Sequence, residues 1–211
     1  MPIYNRIADF HEDLVATRRD IHAHPELGFE EHRTSDLVAQ QLESWGIEVH
    51  RDIATTGVVG VLKGSGNSTR SIGLRADMDA LPMDEEGTPE HRSKNAGKMH
   101  ACGHDGHTTM LLGAARYLAE TRNFDGTVHF IFQPAEEGGG GGRVMVEEGL
   151  FDKFECDTVW GMHNSPNLPA GTLAIRPGPL MAAVDMAKIT INAQGCHAAQ
   201  PVSYTHLRAH E

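Results

Sequence analysis

Three short apolar runs, Ile72 to Arg75, Thr127 to Phe132 and Thr158 to Met162, each lead straight into acidic or imidazole side chains. Asp77 and Asp79 follow the first, Glu136 and Glu137 the second, and His163 the third. The middle run alternates Val128, Phe130 and Phe132 and stops at Pro134, which is the signature of a strand with a terminator. Helical patterns separate the runs. Strands alternating with helices predict an α/β fold, a mostly parallel sheet flanked by helices. In such sheets ligands bind in the crevice beyond the carboxyl ends of the strands, so three polar clusters are expected to meet in one crevice.

The helices are read from apolar spacing. Asp9 to Ala23 carries Phe10, Leu14, Val15 and Ile21 between charges and stops before Pro25. Thr34 to Trp45 places Leu37, Val38, Leu42 and Trp45 on one face, with Gly46 suited to end it. Extended segments are expected at Ile47 to His50 and Val58 to Leu62. Thr108 to Thr121 and Arg143 to Glu148 read as further helices, the latter closed by Gly149.

The run from Met99 to His107 holds one thiol, three imidazoles and a carboxylate in nine residues. Cys and His supply the donors that a first-row divalent ion prefers, and Gly103 and Gly106 let the backbone bend around it. Cys102 and His104 sit two apart, so in an extended loop both point to one side and can share an ion at roughly 2.0–2.3 Å. His107 is a ligand, a hydrogen-bond donor behind the ligands, or a helix cap. Asp105 is placed to orient a ligating histidine. Asp77 and Asp79 are either ligands or acids behind them.

Glu136 and Glu137 precede five consecutive glycines, Gly138 to Gly142, which remove side-chain cover on one side. Beside a dication both carboxylates can stay ionised, one binding the ion and the other taking a proton from water. The glycine run lacks the Gly-Lys-Ser/Thr ending of a phosphate-binding loop.

The chain carries 29 acidic against 18 basic residues, a formal charge of −11, with no Lys/Arg run. That excludes nucleic acid and an anionic membrane surface as expected partners and favours small solutes. No apolar stretch approaches the roughly 20 residues needed to span a bilayer, and the N-terminal residues have no apolar signal core, so a cytoplasmic setting is expected. Cys102, Cys156 and Cys196 are odd in number and widely spaced, which predicts reduced thiols.

Taken in order, His22 to Glu31, Leu74 to Pro82, Met99 to His107, Gln133 to Glu137, Gly161 to His163 and Gly195 to Ala199 resemble a family of metal-dependent amidohydrolases. This is the group of hippurate hydrolase, indole-acetyl-amino-acid hydrolase and N-acyl-amino-acid deacylases, relatives of aminoacylases and glutamate carboxypeptidases. The Lys98 to His107 and Pro134 to Glu137 blocks look most like the bacterial hippurate hydrolase branch. The resemblance implies hydrolysis of the amide bond of N-acyl amino acids by metal-activated water. It implies Cys102, His104, Glu137 and His163 as metal ligands, Glu136 as general base, and two divalent ions drawn from Mn, Zn, Ni or Co. It implies that His197, on a smaller lid domain, reaches a partner subunit's site and polarises the scissile carbonyl, which requires a homodimer. A dipeptidase or carboxypeptidase of the same fold is the alternative, as is an inactive metal-binding fragment.

The expected organisation is a catalytic metal-binding domain over residues 1–181, the first strand of an α+β lid or dimerisation domain over 182–201, and a non-native tail over 202–211. A strand is expected from Asp185 to Asn192. The family's further histidine ligand near its C-terminus has no counterpart here, and Ala193 to His197 departs from the family's Gly-x-Gly-Gly-His pattern. The chain is therefore expected to be truncated.

Overall fold

The computed structural model describes residues 5–182 and 187–190. The chain divides into two compact units, Met1–Pro169 and Ala170–Glu211. The described residues of the second unit form no helix or strand. Of the expected strand Asp185 to Asn192, only 187–190 are described, without regular structure. His197 and Cys196 lie outside the described residues, as does the expected tail.

The first unit begins with α1 (Asn5–Asp9), α2 (His11–Ala23) and α3 (His32–Ser44), followed by β1 (Glu48–Ile53), β2 (Gly57–Lys63) and β3 (Ser71–Asp77). It continues with α4 (His104–Thr121), β4 (Thr127–Gln133), α5 (Gly141–Glu147), α6 (Leu150–Lys153) and β5 (Thr158–Gly161). The strands form one sheet in the order β1-β2-β4-β3-β5. β3 pairs in parallel with both β4 and β5, while β2 is antiparallel to β4 and to β1. Four strands therefore run in one direction and β2 alone runs against them. The sheet is mixed, and its parallel half is the half that carries the polar clusters.

Period-two alternation along β4 sorts side chains to two cores. Val128, Phe130 and Phe132 face a core shared with Val38 and Leu42 of α3 and Leu111, Leu112 and Ala115 of α4. Ile131 faces the opposite side, with Val59, Met145, Leu150 and Phe154. Helices thus cover both faces of the sheet. The connection from β3 to β4 runs through α4 on one face, and that from β4 to β5 through α5 and α6 on the other. The chain steps from β3 to β4 on one side and then crosses back over β3 to β5 on the other, which opens a crevice at the carboxyl ends. Asp77 pairs with Gln133, and Arg75 with Gly161, so the three parallel strands end nearly level. Among the described residues no helix is long and apolar enough to cross a membrane.

Candidate metal centre

The Cys/His run does not form an extended loop. α4 begins at His104, four residues before the expected start, so His104, Asp105 and His107 occupy its first turn. Apolar spacing misses this turn because its side chains are polar, yet all three are buried. Gly103 takes the position before the helix at φ +91°, in the left-handed region that favours glycine. A Cβ there would also lie 2.4 Å from the Asn164 side chain.

His104 is 1% exposed and stands where the three strand-end clusters converge. Its Nδ1 is 3.2 Å from Asp79 Oδ1. Its Nε2 faces Asp77 Oδ2 at 3.6 Å, Glu137 Oε1 at 3.7 Å and Glu136 Oε2 at 4.0 Å. With Nδ1 engaged by Asp79, Nε2 is left facing this ring of carboxylates. His104 Nε2 and Glu137 Oε1 are both buried without a hydrogen-bond partner. Buried polar atoms left without a partner are costly, and a cation lying between these two would satisfy both.

Potential ligand atoms lie within 4.8 Å of one another in three sets, Cys102/His104/His163, His104/Glu136/Glu137 and Asp77/His104/His107. All share His104. Cys102 Sγ is 3.3 Å from His163 Nε2. Burial, the neighbouring Glu137 carboxylate and the nearby charges of Asp77 and Glu136 push the Cys102 thiol up to about 12. Burial pushes the His104 imidazole down, but Asp79, Asp77 and Glu137 outweigh it and raise the value above the usual one. Burial likewise opposes ionisation of Asp77, yet the His107 hydrogen bond and the charges of Arg75 and His104 hold its carboxyl at about 2. The site has more negative charge than its own side chains neutralise, and it is ready to accept a cation.

The other acids and imidazoles frame this centre. His107 Nδ1 meets Asp77 Oδ1 at 2.6 Å, and its Nε2 lies 2.6 Å from Asn164 Oδ1 and 3.0 Å from the Asn164 amide nitrogen. Asp79 Oδ2 accepts the Glu137 backbone N–H at 2.9 Å, so one aspartate steadies both His104 and the glutamate turn. Asp105 does not orient a histidine of the cluster. Its Oδ2 turns to α2, 2.8 Å from His22 Nδ1 and 2.7 Å from Arg18 Nε.

Sequence reasoning did not single out His22, Glu31, Glu85, Asn164 or Arg75. His22 and Glu31 lie in the His22 to Glu31 stretch, whose order in the chain was the only signal for them. Arg75 donates to Asp77 Oδ2 at 2.7 Å and to Gln133 Oε1 at 2.9 Å, tying the ends of β3 and β4 together. His22 Nε2 lies 3.2 Å from Glu85 Oε1.

Residues 73–210 match the model of peptidase family M20/M25/M40. The chain is 49% identical over 201 residues to a hippurate hydrolase of Campylobacter jejuni, covering 95% of this chain and 52% of that protein. It is 48% identical over 194 residues to an IAA-amino acid hydrolase of Arabidopsis thaliana, covering 92% and 43%. It is 44% identical over 195 residues to an N-acetylcysteine deacetylase of Bacillus subtilis, covering 91% and 50%. Among solved structures, a Bacillus subtilis protein described as a dinuclear metal-binding peptidase from the M20 family superposes with a TM-score of 0.77 at 43% identity, over 82% of this chain and 48% of its own. The chain thus spans about half the length of the relatives it matches. With a mixed sheet flanked by helices and a run of matching motifs along its length, the chain belongs to peptidase family M20/M25/M40.

Proposed function

We propose that the protein hydrolyses the amide bond of N-acyl amino acids, hippurate-like compounds among them, at a centre of two divalent cations. The observation that carries this reading is the buried, unpartnered pair His104 Nε2 and Glu137 Oε1, set between overlapping groups of donor atoms. Cys102, His104, Glu137 and His163 would hold the metal, and their thiolate, imidazole and carboxylate donors suit Mn, Zn, Ni or Co. A bound divalent ion supplies Lewis acidity, polarising the amide carbonyl and lowering the pKa of water.

The residues of the chain divide the remaining work. Glu136 is the more accessible glutamate, its side chain 43% exposed against 22% for Glu137. It accepts the proton as water oxygen bonds to the carbonyl carbon, and returns it to the nitrogen as the C–N bond breaks. Asp79 and Asp77 hold His104 and His107 in fixed orientations. His197 would stabilise the oxyanion from a second subunit, so the proposal includes a homodimer. A reduced Cys102 is needed, which suits the cytoplasm. An N-acyl substrate is supported by the relatives, which are a hippurate hydrolase, an IAA-amino acid hydrolase and an N-acetylcysteine deacetylase.

The test uses the protein at its full natural length. Metal content is measured, and hippurate, N-acetylcysteine and a dipeptide are compared as substrates. Glu136→Ala should keep the metal and lose about 10²–10⁴-fold in turnover. Preference for the dipeptide would replace this reading by the peptidase one. Full turnover in Glu136→Ala would remove the proposed base.

A further inference from the structure

The stretch from His22 to Glu31 contributes no ligand to the metal centre, yet it contains a carboxylate that is entirely buried. Glu31 is 0% exposed. It stands immediately before α3, at the N-cap position, but it makes no side-chain cap hydrogen bond. That service comes from Glu26, whose Oε1 accepts the Arg33 N–H at 2.9 Å and whose Oε2 accepts the Thr34 N–H at 2.8 Å. Helix stability therefore does not account for burying Glu31.

Both of its oxygens are used away from the helix. Oε2 accepts the Thr56 hydroxyl at 2.5 Å, just ahead of β2. Oε1 accepts the backbone N–H of Ala135 at 2.8 Å. Ala135 is the residue before Glu136, fully buried, and its φ of +49° lies in the left-handed region that a side chain rarely adopts. This backbone twist sets where Glu136 and Glu137 leave the end of β4. The surroundings fit closely around it. A Cβ on Gly28 would lie 2.9 Å from Ala135 Cβ, and one on Gly139 would lie 2.7 Å from the same atom.

From this geometry we infer that Glu31 is a positioning residue, whose hydrogen bond to Ala135 holds the left-handed turn that aims Glu136 and Glu137 at the reaction centre. The inference rests on the proposed roles of those two glutamates. Glu31 touches neither metal nor substrate. It acts through one backbone amide.

The experiment compares Glu31→Gln with Glu31→Ala in the protein at full natural length, loaded with Co²⁺. The glutamine keeps an oxygen for the Ala135 N–H, whereas alanine removes it. In Glu31→Ala the Ala135 amide should exchange with solvent at least about tenfold faster. The Co²⁺ spectrum should change, and kcat should fall about 10–100-fold with KM nearly constant, the scale typical for residues that support metal ligands. Glu31→Gln should restore all three readouts to near the parent values. A folded Glu31→Ala with parental kcat and spectrum overturns the inference, as does equal loss in both variants with the Ala135 amide still protected.

Should Glu31→Ala fail to fold, Gly28→Ala crowds Ala135 directly, its added Cβ meeting Ala135 Cβ at 2.9 Å. A stable Gly28→Ala protein with parental kcat and spectrum then overturns the inference, and a selective loss supports it. A parent protein that hydrolyses none of the substrates defeats the proposed function instead. Exchange at Ala135 and the Co²⁺ spectrum still decide the role of Glu31.

Discussion

His107 Nδ1 lies 2.6 Å from Asp77 Oδ1, which joins the first turn of α4 to the last residue of β3 beneath the metal centre. Its other nitrogen faces both the side-chain oxygen and the backbone amide of Asn164, the neighbour of His163. One imidazole thus couples three chain segments that each carry a proposed ligand or its support. The expected outcome of His107→Ala is loss of about 10–100-fold in metal affinity, because Asp77 and Asn164 lose their common partner. Calorimetric titration with Mn²⁺ checks this. An unchanged dissociation constant would assign His107 to packing alone.

The neighbouring glutamates should separate cleanly when metal is withdrawn. An ion that binds only the folded state stabilises it by about 2.7 kcal/mol at a free concentration one hundred times its dissociation constant. Chelation should therefore lower Tm in the parent and in Glu136→Gln by similar amounts. Glu137→Gln, which replaces the buried orphan Oε1 region with a weaker donor, should show little response to chelator. A large and equal chelator response in both variants would contradict the assignment of Glu137 as ligand and Glu136 as base.

The His22–Asp105 pair gives a pH dependence that can be read in metal-free protein. The Asp105 hydrogen bond raises the His22 pKa above 6.5, with burial opposing and Glu85 assisting. A histidine whose folded pKa is raised adds stability that is complete below its unfolded pKa and disappears as pH rises through the folded one. The Tm gap between the parent and His22→Asn should accordingly be widest below about pH 6.5 and narrow as the pH rises above it. Asp105 has its carboxyl held low against burial by the same partner and by His100 and Arg18, so its contribution fades only in acid. A gap that widens with increasing pH would place His22 neutral in the folded state.

The fold was legible wherever burial follows a simple period. Val128, Phe130 and Phe132 marked β4, and Val38 with Leu42 marked α3, because each packs one apolar face into a common core. The convergence of Asp77, Glu136, Glu137 and His163 followed from their places at strand ends. What stayed hidden was polar and long-range. The first turn of α4 is buried by ion pairing and not by apolar contact, so His104 and His107 gave no helical period. Asp105 pairs with His22, 83 positions earlier, and Glu31 with Ala135, 104 positions later. No local rule links residues so far apart. The reversed direction of β2 was equally unreadable, since its side-chain pattern is the same either way along the sheet.

Within the five-glycine run, Gly141 and Gly138 differ sharply in the space around them. A Cβ on Gly141 would sit 1.8 Å from the Pro134 carbonyl oxygen, because the chain doubles back to let the Gly141 N–H reach Ala135 O at 3.0 Å. A Cβ on Gly138 would meet nothing within 4 Å. Neither residue has a positive φ, so a left-handed backbone penalises neither substitution and the difference lies in the space around them. Gly141→Ala must push the Pro134–Ala135 segment aside, at a cost of about 1–3 kcal/mol typical of overpacking. The displaced turn carries Glu136 and Glu137, so turnover should fall more than stability alone predicts. Gly138→Ala should leave both within error of the parent. Urea unfolding together with kcat for the two variants checks the pair, and a Gly141→Ala protein with parental stability and turnover would show that the turn tolerates a wider path than its close contacts imply.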